Sequence, residues 1–182
     1  SSVVGQLAKD LNLVTKNDTL PGCPIGNENG EQQCYFEAYV RKFIVEKLKL
    51  KKTGYLPSVD TWKDIAPLWN DTLYRHKLIQ GFVSDENAYA MGGIAGHAGW
   101  FSSVVEVSQI LHSLMFEPET LLNATTLKRF GQVGDLNVSS RALGWDTMMN
   151  DPEEGLCGTL SPSTMLHTGY SGTLVCMDPV RK

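Results

Sequence analysis

One stretch decides how this chain is read: Gly81-Phe82-Val83-Ser84-Asp85-Glu86-Asn87-Ala88-Tyr89-Ala90-Met91-Gly92-Gly93-Ile94-Ala95-Gly96-His97-Ala98-Gly99-Trp100-Phe101-Ser102-Ser103. From Asn87 to Val105 it carries no charged residue, a length that invites a membrane reading. Gly92, Gly93, Gly96, Gly99, His97, Ser102 and Ser103 make it too polar to span a bilayer as a helix. The Gly92/Gly96 spacing carries little weight outside an apolar segment. The run fits neither G-x-G-x-x-G nor G-x-x-x-x-G-K-[ST], so it is no phosphate cradle, and no G-x-S-x-G elbow occurs. Glycines at this density let backbone pass close to backbone, or line a cleft wall.

Working outward, Val3, Val4, Leu7, Ala8 and Leu11 recur at helical spacing and predict an amphipathic helix over 2–13. A polar loop follows over 15–33. Phe36, Tyr39, Val40, Phe43, Ile44 and Leu48 predict a second helix from Tyr35 to about Lys49. Residues 50–80 show no sustained period and read as irregular. Ser103-Val104-Val105-Glu106 spells a capping box for a helix carrying Val107, Ile110, Leu111, Leu114 and Met115, which ends before Pro118. A short helix is expected from Asn123 or Ala124 to Phe130. Strands are expected at Ala142–Thr147 and Thr173–Met177. Helices first and strands later give an α+β class: a mainly helical lobe over 1–140 with its Gly-rich loop at 92–99, then strands over 141–182.

The 182 residues hold 20 acidic and 16 basic side chains, a net charge of −4, which leaves no electrostatic footprint for nucleic acid. Asn-x-Ser/Thr sequons stand at Asn17, Asn70, Asn123 and Asn137, against the roughly one that chance would place among nine Asn. Asn123 is equally placed to cap a helix. The four Cys fit two disulfides in an oxidising compartment, Cys23 with Cys34 across a polar loop and Cys157 with Cys176; the alternative is four buried thiols. The expected location is therefore secreted or lysosome-like. No metal-ligand spacing is present among the four His.

A second string completes the pattern: Leu143-Gly144-Trp145-Asp146, then His167-Thr168-Gly169-Tyr170-Ser171-Gly172-Thr173 and Met177-Asp178-Pro179. In this order, the two strings resemble the serine β-lactamase-like family: class C β-lactamases, penicillin-binding-protein-like carboxypeptidases and related esterases. That resemblance implies a helical lobe plus part of an antiparallel sheet flanked by helices, both belonging to one larger catalytic domain. It also implies acyl transfer without a cofactor, in which a Ser hydroxyl is activated by Lys or Tyr and backbone N–H groups hold the oxyanion.

Of the family's three motifs, Ser-x-x-Lys and Tyr-x-Asn are absent from these residues. Lys52-Thr53-Gly54 spells the third literally but follows a helix as a polar turn; the family match puts the third motif at His167-Thr168-Gly169. The resemblance implies that His167 and Thr168 hydrogen-bond a substrate carboxylate or carbonyl and that the Tyr170 N–H donates to the oxyanion, unless His167 is an ordinary strand residue. His97, Gly96 and Trp100 are expected at the substrate side of the cleft, or in a purely structural role. Val3-Val4-Gly5-Gln6-Leu7 resembles the helix after the Tyr motif, which places that Tyr a few residues before Ser1; a final strand and helix would follow Asp178-Pro179. The expected partners are the remainder of a longer polypeptide or a companion chain, and a small ester, amide or peptide substrate. The rival expectation is a non-catalytic relative, a binding or structural subunit of an extracellular assembly.

Overall fold

In the computed structural model, residues 1–23, 30–148 and 155–181 are described, and they form two units, Ser1–Val107 and Ser108–Lys182. The predicted loop over 15–33 lies partly outside the described residues. Helices and small antiparallel sheets alternate along the chain, an α+β fold.

The first unit opens with α1 (Ser2–Asp10). It stops three residues short of the expected end because Asn12 turns left-handed, at φ 53°. Asn12 N–H then bonds the Lys9 carbonyl and Leu13 N–H the Ala8 carbonyl, each at 2.9 Å, which closes the last turn. The buried residues of α1 are Gly5 and Ala8, whereas Val3, Leu7 and Leu11 of the predicted apolar face are exposed. The reason is a close crossing: a Cβ on Gly5 would strike the Gln32 carbonyl of α2 (Glu31–Val40). Backbone contact replaces side-chain interdigitation there.

α2 begins four residues before the expected Tyr35 and runs into a π-helical turn over Arg41–Glu46. Lys49, at φ 55°, ends it, with Leu50 N–H on the Val45 carbonyl at 2.8 Å. Its first turn is stapled by the Cys23–Cys34 disulfide. Gln33, Cys34, Tyr35, Glu37 and Ala38 are the buried residues of α2, with Tyr39 and Phe43 packed beside Ala8, Val14, Tyr35 and Ala38. Burial thus shifts off the predicted face, where Phe36, Tyr39, Val40, Phe43 and Ile44 are half-buried, and the buried Glu37 is paired. Arg41 meets it at 3.0 Å and also reaches Glu46 at 3.0 Å and the Asp18 carbonyl. Burial pushes the Glu37 carboxyl up, against the opposing pull of Arg41.

Two short ladders follow. β1 (Gly54–Tyr55) pairs antiparallel with β4 (Trp100–Phe101), and β2 (Asn70–Asp71) with β3 (Lys77–Leu78). Between them α3 (Glu86–Ala90) is capped by Asp85. α4 (Val104–Phe116) starts and stops where its sequence signals say, but only half of the capping box forms. Ser103 Oγ accepts from Glu106 N–H at 3.4 Å, while the Glu106 carboxylate turns away to the Lys51 and Lys52 N–H groups and the Thr53 hydroxyl, at 2.6–3.0 Å. Burial raises that carboxyl, yet these donors together hold it below the usual range. Thr53 is buried in this contact, and Gly54 of the Lys52-Thr53-Gly54 triplet opens β1.

In the second unit α5 (Ala124–Phe130) is capped by Asn123, whose Oδ1 accepts from Thr126 N–H at 2.7 Å. β5 (Asp146–Thr147), β6 (Met165–Thr168) and β7 (Leu174–Met177) form an antiparallel sheet with β6 in the centre. The strand expected from Ala142 shrinks to two residues, because Ala142 N–H bonds the Trp145 carbonyl around Gly144 at φ 78°. Cys157–Cys176 ties the incoming loop to β7. Asp178 then accepts from Ser161 N–H and Oγ (2.9 and 2.7 Å) and from Val180 and Arg181 N–H (2.9 and 3.2 Å).

Candidate functional site

Two side chains hold the Gly-rich loop of the first unit. Tyr55 Oη donates to the Ala95 carbonyl at 2.9 Å. Asp85, already bonded to Ala88 N–H at 2.7 Å, lies 3.1 Å from His97 Nε2. The Ala88 N–H is the main reason the Asp85 carboxyl sits below its ordinary value, with His97 contributing further. Gly93, Ile94 and Ala95 are buried, whereas Gly96 and His97 face solvent and Trp100 is 40% exposed. Ser1 lies against this loop: a Cβ on Gly96 would come within 3.4 Å of the Ser1 nitrogen. His97, Gly96 and Trp100 therefore share one region of the first unit.

The second unit carries the other expected residues. His167 and Thr168 end β6, opposite Val175 and Leu174, with both residues exposed. A hairpin turn follows, closed by Gly169 N–H on the Thr173 carbonyl at 2.7 Å and Gly172 N–H on the Gly169 carbonyl at 2.9 Å. Tyr170 stands at its tip, 99% exposed. His167 Nδ1 lies 2.9 Å from the Thr168 carbonyl. A carbonyl only accepts, so this nitrogen carries the proton and Nε2 of the neutral ring is left as an acceptor. An apolar cavity of about 440 Å³, lined by Leu114, Leu122, Leu127, Met165 and Pro179 among others, includes none of the expected site residues.

The sequon asparagines Asn17, Asn70, Asn123 and Asn137 are all exposed. Asn123 is also the cap of α5, and Asn137 Nδ2 donates to Asp135 at 3.1 Å. His76 is exposed, and His112 stacks 4.9 Å from Phe116. Among the described residues no cluster of potential metal ligands forms, and no helix is long and apolar enough to cross a membrane. Sequence reasoning passed over Arg75, whose side chain is 3% exposed beside the loop leading to Asp85. A lone Arg in an irregular stretch gives no periodic signal.

No protein-family model matches the chain. A protein of Escherichia coli (strain K12) named "Putative D-alanyl-D-alanine carboxypeptidase" is 36% identical over 112 residues, 58% of this chain and 26% of that protein. A protein of the same name from Salmonella agona (strain SL483) is 33% identical over 112 residues, again 26% of its length. The match thus spans about a quarter of these curated relatives. Among solved structures, a mutant of simvastatin synthase LovD from Aspergillus terreus superposes with a TM-score of 0.59 at 17% identity, covering 79% of this chain and 41% of that one. EstCE1, described as a hydrolase with promiscuous acyltransferase activity, gives 0.50 at 18% identity over 82% and 46%. These two likenesses establish a shared fold.

Proposed function

We propose that this chain, similar along 112 residues to those relatives and sharing its fold with LovD, is part of a serine hydrolase or acyltransferase of the serine β-lactamase- and penicillin-binding-protein-like family. In this reading a Ser in polypeptide other than these residues attacks an ester or amide carbonyl. Its proton passes to a Lys or Tyr base, the leaving group departs, and water or a second nucleophile takes the acyl group from the Ser. Within the second unit, His167 and Thr168 are assigned to the substrate and the Tyr170 N–H to the oxyanion; within the first, His97, Gly96 and Trp100 are assigned to substrate contact. The carboxypeptidase name of the curated relatives favours a peptide substrate.

The observation that carries this reading is the 36% identity over 112 residues with the Escherichia coli protein, joined to the fold shared with LovD. The test is fluorophosphonate labelling of the native protein alongside a reactive serine hydrolase. Covalent labelling supports the enzyme; a clean failure leaves the scaffold as a non-catalytic binding subunit.

The same reading takes the protein to be a secreted or lysosome-like glycoprotein. Two disulfides and four exposed sequons support it. A mass drop on enzymatic removal of N-glycans from the native protein is the expected result, and an unchanged mass would refute it.

A further inference from the structure

Arg75 is the most enclosed cation described in the first unit. Its guanidinium faces Asp71 at 3.3 Å, where Nε is not aligned for a hydrogen bond, so that contact is ionic. Nη1 donates to the Val83 carbonyl at 3.0 Å and Nη2 to the Ser84 carbonyl at 2.6 Å. The plane lies 4.9 Å from the Tyr89 ring and 5.5 Å from the Tyr74 ring. Asp71 is held in turn by Leu73 and Tyr74 N–H, at 3.1 and 2.9 Å.

Burying a guanidinium is costly, and packing alone would be served as well by an apolar side chain. What an apolar residue cannot do is grip two successive carbonyls, a task suited to a planar fork of donors. The gripped pair ends at Ser84, and the next residue is Asp85, which caps α3 and meets His97. We infer that Arg75 is a positioning residue: by clamping Val83 and Ser84 it fixes Asp85, and through the Asp85–His97 contact it sets the Gly92–Gly99 loop. Its consequence for turnover rests on the function proposed above; its consequence for loop order does not.

Amide hydrogen exchange on the full-length native protein reads the loop directly, with peptides from α2 as the internal reference. Arg75→Ala is expected to speed exchange over residues 92–99 by about tenfold while α2 stays unchanged. Added methylguanidinium should restore the loop, and Arg75→Lys, which keeps the charge but not the fork, should fall between. Unchanged loop exchange, equal acceleration in α2, or a loosened loop that methylguanidinium leaves loose would overturn the assignment. If Arg75→Ala does not fold, the lysine variant carries the same test: acceleration confined to the loop supports the clamp, and wild-type or uniform exchange refutes it. Fluorophosphonate labelling run in parallel separates the two claims. A wild type that never labels removes the proposed chemistry without touching the clamp, whereas variants with a loosened loop that label at the wild-type rate remove the role in turnover.

Discussion

Tyr55 Oη donates to the Ala95 carbonyl across 2.9 Å, so a half-buried phenol on β1 pins the floor of the Gly-rich loop. Burial, helped by the nearby Glu37 charge, pushes this phenol up to about 12. Its native value exceeds that of the unfolded chain, so the stability it supplies is complete below about pH 10 and is lost as pH rises towards 12. Tyr55→Phe should remove that alkaline step and lower stability by about 1–3 kcal/mol, because the Ala95 carbonyl loses its donor. Denaturant titrations of both proteins across alkaline pH would check this; an unchanged alkaline step in the variant refutes it.

The same loop offers a paired test of backbone crowding. Gly92 and Gly99 both have positive φ, 83° and 98°. A Cβ on Gly92 meets nothing within 4 Å, while one on Gly99 runs into the Gly93 carbonyl. Gly92→Ala should therefore cost only the left-handed strain, about 1–2 kcal/mol. Gly99→Ala should cost visibly more. Equal denaturation midpoints for the two variants would show that the loop yields at Gly99 without penalty.

Asp178 organises the end of the second unit. Burial works to raise its carboxyl, but the donors from Ser161, Val180 and Arg181 prevail and hold it far below the usual carboxylate range. A depressed native value means stability present above about pH 4 and lost as pH falls below it. Asp178→Asn should flatten this acid dependence and lower the melting temperature at neutral pH. Thermal melts over the acid range would read both effects, and a variant with the wild-type acid profile would contradict them.

Much of this architecture is legible in the residues because its signals are local. Ser103 and Pro118 bracket α4, Asn123 opens α5, and Cys23 with Cys34 and Cys157 with Cys176 pair as their spacing suggests. What is not legible depends on partners distant in sequence. Glu106 reads as a capping-box residue, yet its carboxylate serves Lys51–Thr53, more than fifty residues away. Val3, Leu7 and Leu11 read as a buried stripe, yet Gly5 and Ala8 make the contact with α2. Arg75 is silent in any periodic pattern because its role is to hold two carbonyls eight and nine residues on. The candidate residues divide in the same way: the strings single out His97 in the first unit and His167 in the second, but the hydrogen bonds that orient each ring come from Asp85 and the Thr168 carbonyl.

The orientation of His167 makes a charge-specific prediction. With Nδ1–H committed to the Thr168 carbonyl, Nε2 of the neutral ring offers a lone pair and repels a carboxylate. A cation at this position would attract a carboxylate-bearing substrate and leave a neutral ester unaffected. His167→Lys supplies that cation and should strengthen binding of carboxylates relative to their methyl esters. Competition by a set of acyl-peptide carboxylates and their methyl esters against fluorophosphonate labelling would measure this. An unchanged acid-to-ester ratio in His167→Lys would remove His167 from substrate recognition.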